Sequence, residues 1–86
     1  MKTLAYKIRP NDDKKTDYVE FVTVIRNWKD KMFFEMVCKM TDYFCFFIDV
    51  PNKEYRKAKK DNKHFMAIYE KKINELYKDI KENGNG

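Results

Sequence analysis

Two cysteines and one histidine are the residues that could supply nucleophilic or metal chemistry in this chain. Cys38 and Cys45 do not form a CxxC motif, and His64 is the single histidine. A catalytic thiolate needs a neighbouring base, and one histidine cannot complete a usual zinc site with two cysteines. Because both cysteines lie among apolar residues, we expect two buried, reduced thiols.

The acidic residues do not suggest a catalytic cluster either. Asp12 and Asp13 are adjacent in a polar segment, which is typical of a loop, while Asp42 fits a turn and Asp49 lies near the end of a predicted strand. A metal-dependent hydrolase would need histidines or grouped carboxylates. We therefore expect no catalytic residues, no metal and no cofactor, and a protein that is not an enzyme.

Basic residues near position 56 form the most regular charged pattern. In a helix that begins at Asn52, five cations fall on one face: Lys53, Arg56, Lys57, Lys60 and Lys63. Such a stripe can bind phosphates or an acidic partner, and Tyr55 and Phe65 could stack on bases. The plainer alternative, which we favour, is a solvated helix face, since Glu54 and Asp61 lie beside it. The aromatic-rich segments lack the glycine-bearing pattern of an RNA-recognition motif.

Length and composition bound the possible classes of protein. The chain has 86 residues, of which 43% are hydrophobic, so it can form one small domain with a core. Its net charge of +5 is concentrated in residues 51–86. The N-terminal segment lacks the apolar run of a signal peptide, and no apolar stretch approaches the length of a membrane helix. We expect a cytoplasmic protein with no membrane partner.

The densest apolar stretch is 32–50, and the predicted fold is organised around it. Thr41-Asp42 interrupts the stretch near its middle, which predicts a β-hairpin with the turn at these two residues. In that register Cys38 lies opposite Cys45, so a cross-strand disulfide is conceivable. Both faces of the hairpin are largely apolar and need cover. On the second face we expect a partner-binding surface: Phe33, Phe44, Phe46 and Ile48.

The flanking segments complete the predicted elements. Residues 3–9 alternate with period two, which predicts a strand. Residues 17–28 fit either a strand, favoured by their β-branched residues, or a helix. From Asn52 to about Glu82 the periodicity predicts a helix capped by Asn52, with a possible break at 60–63 and a stop at Asn83-Gly84.

These elements predict an α+β fold in one domain spanning residues 1–86. It has a small, mainly antiparallel sheet of three or four strands within residues 3–50, a long C-terminal helix (52–82) packed on one face, and a frayed tail (83–86). If residues 17–28 are a helix, they can cover the second face of the sheet. If they are a strand, that face stays partly open, and open apolar patches often mark a partner or a homodimer. Alternatively, the sheet curls around its own side chains and the phenylalanines are core.

The chain is rich in Lys, Asn, Asp, Ile, Tyr and Phe, as are the products of AT-rich genomes. In size and character it resembles the compact proteins that bacteriophages encode to block host machinery, including anti-CRISPR proteins, and no motif carries that resemblance. The resemblance implies a stoichiometric inhibitor that binds a host protein or nucleoprotein complex in the host cytoplasm. The alternative is a nucleic-acid-binding protein that uses the basic helix face.

Overall fold

The computed structural model describes residues 1–10 and 17–84, with side chains as far as residue 79. The predicted loop at Asp12 and Asp13 lies outside these residues, as do residues 85–86 of the predicted tail (83–86). Residues 83–84 belong to the last helix, so the predicted stop at Asn83-Gly84 is wrong. The elements in chain order are β1 (Lys2–Arg9), β2 (Tyr18–Ile25), α1 (Trp28–Met40), β3 (Phe44–Val50), α2 (Asn52–Lys60) and α3 (Lys63–Gly84). The fold is α+β, as predicted.

The sheet has three antiparallel strands in the order β2-β1-β3. The central strand is the one whose sequence alternates most regularly. Leu4 and Tyr6 are buried on one face of β1, and Ala5 is buried on the other. Because β2 and β3 are both antiparallel to β1, they run parallel to each other, and α1 connects them across one face of the sheet.

Helices cover both faces of this sheet. The face bearing Leu4 and Tyr6 packs against α2 and α3 in the larger core cluster, whose buried members are Leu4, Tyr6, Ile48, Val50, Ala58, Phe65 and Ile68. The opposite face packs against α1 through a smaller buried cluster: Ala5, Phe34 and Cys38. The predicted packing of the C-terminal helical segment on one face is confirmed, and α1 covers the other.

Tyr6 and Phe65 join the sheet to the start of α3. The Tyr6 side chain is fully buried, and its hydroxyl donates a hydrogen bond to the backbone carbonyl oxygen of Phe65 over 2.6 Å. Phe65 also stacks on Phe21 of β2, with ring centroids 3.8 Å apart. Burial raises the pKa of the Tyr6 hydroxyl well above its ordinary value, so it stays protonated and acts as the donor.

The predicted β-hairpin at 32–50 is wrong, because its first half is helix α1. The signal for the start of this helix lies just before the apolar stretch. The side chain of Asn27 accepts a hydrogen bond from the backbone N–H of Asp30 over 3.0 Å. The Asp30 carboxylate in turn accepts one from the backbone N–H of Arg26. This arrangement resembles a capping box and starts the helix. Val37 is the one β-branched residue of α1, so the amino acids of this segment do not disfavour a helix.

Thr41 and Asp42 end α1 and do not form a hairpin turn. The N–H of Tyr43 bonds to the carbonyl of Cys38 over 2.8 Å, and the N–H of Asp42 bonds to that of Lys39. With Asp42 in the left-handed region at φ 62°, these two bonds make a Schellman motif. The predicted pairing of Cys38 with Cys45 across two strands is therefore wrong, since Cys38 is on a helix. Both cysteines are free thiols.

The left-handed residue at the end of α1 gives a first test. Asp42→Gly is expected to raise the free energy of unfolding by about 0.5–1 kcal/mol, because glycine adopts positive φ without the Cβ clash. Asp42→Ala is expected to lower it, since alanine has the same Cβ clash and adopts the left-handed region less readily than aspartate. Urea unfolding measures both changes. Equal stability of the two variants would contradict this assignment of the cap.

The remaining sequence predictions divide into confirmed and corrected ones. The strand alternative for residues 17–28 is confirmed by β2. The break near 60–63 is also confirmed, and Asp61 caps the second half by accepting a hydrogen bond from the N–H of Lys63. Asn52 is not the cap of the first half: Pro51 holds that position, without a side-chain hydrogen bond.

Candidate partner-binding surface

Helix α1 turns an apolar surface away from the sheet. Phe34 and Cys38 point inward and are buried. Four apolar residues lie on the opposite side, and we name them the α1 face: Met32, Phe33, Met36 and Met40. Their side chains are 61%, 64%, 52% and 76% exposed. A helix that is apolar on both sides packs on its own sheet with one side and leaves a second apolar surface in contact with water.

The α1 face has the area of a sizeable apolar patch. With about 200 Å² per side chain, these exposures correspond to roughly 500 Å² of apolar surface. The largest apolar patch on an ordinary monomer measures about 300–600 Å² and often has a function. Trp28 extends the surface at the start of α1, where it is also exposed. Three methionines make this surface adaptable, since their unbranched side chains can repack against different partners.

The charges around the α1 face are mainly positive. Lys29 and Lys39 are exposed on α1, and the Nζ atom of Lys29 lies 5.7 Å from the centre of the Trp28 ring. Glu35 is the acidic residue of the middle of the helix. A partner surface with an apolar centre and acidic residues at its edge would complement this arrangement.

The structure separates the four residues predicted to bind a partner. Phe33 is on the α1 face, and Phe44 is exposed at the start of β3. Phe46 is half-buried against the larger core, with its ring 5.8 Å from that of Tyr69, and Ile48 is buried at 4% exposure. The expectation of an open sheet face made by all four is wrong, because α2 and α3 cover the face to which Phe46 and Ile48 belong.

The predicted basic stripe is present and exposed. Lys53, Arg56, Lys57 and Lys60 lie on the side of α2 opposite the buried Ala58, and Lys63 begins α3. Among the described residues, none of these five cations takes part in an ion pair. Phe65 does not belong to this surface, because it is buried against Phe21, so it cannot stack on a base.

His64 has a structural contact beside the stripe. Its Nε2 atom lies 2.7 Å from Oε1 of Glu54, and this contact joins the first turn of α3 to α2. The hydrogen bond from His64 lowers the pKa of the Glu54 carboxyl below its ordinary value. His64 lies on the α2/α3 side of the sheet, whereas Cys38 lies on the α1 side. The sheet therefore separates the Cys38 thiol from the imidazole of His64.

The cysteines lie at the contact between α1 and the sheet. Cys38 is buried and Cys45 is half-buried in the smaller core cluster. Burial, together with the nearby Cys45, raises the pKa of the Cys38 thiol, which keeps it protonated and a poor nucleophile. Within the part of the chain that the structure describes, His, Cys, Asp and Glu side chains form no group of three that could hold a metal ion.

Two further findings bear on the class of protein. No helix in residues 1–10 or 17–84 has both the length and the apolar character that crossing a membrane requires. Comparison of the chain with protein-family models, with curated proteins and with solved structures finds no match. Its function must therefore be argued from its own surfaces.

Proposed function

We propose that this protein is a small non-enzymatic inhibitor that binds a host protein, or a protein of a nucleoprotein complex, through the α1 face. The observation that carries the proposal is the exposed set Met32, Phe33, Met36 and Met40 on a helix that is already packed on its inner side. Leaving such a surface in water is unfavourable, and burying it against a partner would supply a hydrophobic interface core. The size and composition of the chain support the idea that it acts as a phage-type accessory protein in the cytoplasm of the host.

The mode of binding follows from the shape of the surface. The α1 face is one side of a 13-residue helix, so it fits an apolar groove as a helix with anchors at steps of three and four. Phe33 and Met36 are central in this row and are the expected energetic centre. The exposed lysines of α1, together with the net charge of +5, favour a partner with an acidic rim and would speed association.

The test places charge on the α1 face without disturbing the inner side of the helix. In Met36→Glu/Met40→Glu, binding of a partner protein is expected to weaken at least about 100-fold, because two anchors would carry unpaired charges into an apolar groove. The partner is isolated from a bacterial lysate with immobilised wild-type protein, purified, and titrated calorimetrically. Circular dichroism and thermal unfolding check that the fold is kept.

The matched control is Asn74→Glu/Tyr77→Glu. It makes the same charge change at two exposed positions of α3 and is expected to bind as the wild type does. A purified partner that binds the α1 variant and the wild type equally tightly would overturn the proposed surface.

A second candidate function, nucleic-acid binding, is favoured by the exposed basic stripe of α2. Fluorescence anisotropy of labelled random DNA and RNA, single- and double-stranded, tests it at low and at physiological salt. If the stripe binds phosphates, Arg56→Glu/Lys57→Glu/Lys60→Glu is expected to remove binding at physiological salt. Lys71→Glu/Lys72→Glu/Lys78→Glu is the control with the same charge change on α3. Binding that appears only at low salt and is weakened equally by both sets would indicate a generic basic surface.

A further inference from the structure

Strand β2 forms one edge of the sheet. Its inner side pairs with β1, and among the described residues its outer side pairs with no other strand. The outward N–H and C=O groups of such an edge are a template for one more strand. Proteins commonly block the edges of their sheets with a covering helix or loop. The open edge of β2 therefore calls for an explanation.

The open edge of β2 lies in a groove of about 900 Å³. The floor is the strand itself, from Phe21 to Arg26. One wall comes from α1 and includes Phe33 and Val37, and the other comes from α2 and the start of α3 and includes Tyr55 and Phe65. Because α1 and α2 lie on opposite faces of the sheet, the two walls stand above and below the plane of β2.

This shape matches an extended chain better than a helix or a compact ligand. A strand added to β2 would lie about 4.8 Å from it, in the plane of the sheet. Its successive side chains would point to opposite faces, so alternate residues would meet the α1 wall and the α2/α3 wall. Main-chain hydrogen bonds to β2 would contribute affinity, and the two walls would determine which side chains of the added strand fit.

A β-bulge in β2 decides against a second copy of the chain as the occupant. Val22 has no partner on β1, because Ala5 pairs with Thr23 and Tyr6 pairs with Phe21. Bulges bend and twist an edge strand, which hinders long edge-to-edge pairing of identical strands. The bulge divides β2 into two short runs, 18–21 and 23–25, and the groove extends along the second, whose length suits a short peptide segment.

Charge in the groove narrows the chemistry of the occupant. Lys7 is paired with Glu20 over 3.3 Å, and Arg26 is paired with Asp30 over 3.4 Å. Lys59, on the α2 wall, has no ion pair among the described residues, and its Nζ atom lies 5.5 Å from the centre of the Tyr55 ring. An acidic residue of the ligand would complement the charge on this side.

We propose that the groove beside β2 accepts an extended segment of a partner protein as a fourth strand, with alternating apolar side chains and an acidic residue facing Lys59. This inference rests on the proposed protein-binding function and names a second part of the same interface. The groove is continuous with the α1 face, because Phe33 belongs to both. A partner whose groove holds α1 could therefore reach β2 with an adjoining strand.

The test uses a library of linear twelve-residue peptides displayed on phage and selected on the immobilised protein. Enriched peptides are expected to alternate apolar residues and to carry an acidic residue. A synthetic peptide of the enriched sequence is then added to isotopically labelled protein. Hydrogen exchange followed by NMR is expected to show at least about tenfold slower exchange at outward-facing amides of residues 23–25.

Two variants test whether the peptide binds in the groove. Val37→Arg places a large charged side chain on the α1 wall and is expected to weaken peptide binding at least about tenfold. Leu76→Arg makes the same kind of change at an equally exposed position of α3, outside both the groove and the α1 face, and is expected to leave peptide affinity unchanged. The peptide experiment thus stays informative even if the α1 face binds no partner.

Three outcomes would overturn the proposal. One is a selection in which no peptide is enriched over the uncoated support. Another is a peptide whose affinity survives Val37→Arg, or which binds without protecting the β2 amides. The third is concentration-dependent protection of those amides without peptide, which would make a second copy of the chain the occupant.

Discussion

Phe65→Ala is expected to lower the free energy of unfolding by about 3–5 kcal/mol. For a domain of this size that is a large part of the total free energy of unfolding. Phe65 is 6% exposed and its ring stacks on Phe21. Its removal leaves a cavity where α3 meets the sheet. The backbone carbonyl of residue 65, which accepts a hydrogen bond from the buried Tyr6 hydroxyl, would also lose its fixed position, and weakening this buried hydrogen bond adds to the cost.

Phe33→Ala is the matched control, since it makes the same chemical change at a side chain that is mostly exposed. It is expected to change stability by no more than about 0.5 kcal/mol. Urea unfolding, followed by circular dichroism, gives both values under one set of conditions. If the two variants lost equal stability, Phe65 would not be the anchor of α3, or Phe33 would be part of the core. The same Phe33 variant is useful in binding assays because its fold should be intact.

Sequence analysis predicted β1 and the C-terminal helices correctly because large apolar residues alternate with mainly polar or small ones along them. In β1, Leu4 and Tyr6 alternate with Lys7 and Thr3, so the period of two is visible. The C-terminal segment shows a helical period for the same reason. Residues 32–40 lack this contrast, since α1 is apolar on its outer face as well as its inner one. The hydrophobic pattern therefore carries little information about whether this segment is a helix or a strand.

The information that decides the conformation of α1 lies in its ends. Asn27 and Asp30 form the N-terminal hydrogen bonds, and Thr41 with Asp42 forms the C-terminal motif. Asn followed three residues later by Asp, before an apolar run, is a readable helix start. The same Thr41-Asp42 pair fits a hairpin turn equally well when it is considered alone. A capping pattern should therefore take precedence over apolar density when a segment is apolar on every side.

The candidate surfaces differ in how much of them a sequence can reveal. The basic stripe depends on positions within one helix, so local periodicity was enough to place Arg56 and Lys60 together. The α1 face depends on which side of a helix meets the sheet, and this is a tertiary fact. The prediction that Phe33 belongs to a partner surface assumes an open sheet face. Phe33 is exposed because it lies on the outer side of α1, away from the sheet that this helix covers.

The position of Ala58 links the core to the basic stripe. Ala58 is fully buried in the larger core cluster, and the cations of α2 lie on the opposite side of the helix. A small residue at this point lets the α2 backbone approach the sheet closely, and that approach directs the cations into water. The orientation of the stripe is therefore set by the packing of Ala58, together with the half-buried Tyr55, against the larger core cluster. The contact of His64 with Glu54 holds α2 against α3 beside it.

Ala58→Leu is expected to lower the free energy of unfolding by about 1–3 kcal/mol, because three added carbon atoms have no space between α2 and the sheet. Ala67→Leu makes the same change at an exposed position of α3 and is expected to stay within about 0.5 kcal/mol of the wild type, since leucine and alanine are both good helix formers. Urea unfolding of the two variants and the wild type measures the difference. If Ala58→Leu were as stable as Ala67→Leu, α2 would not be closely packed at residue 58, and the side on which its basic stripe faces water would have to be assigned again.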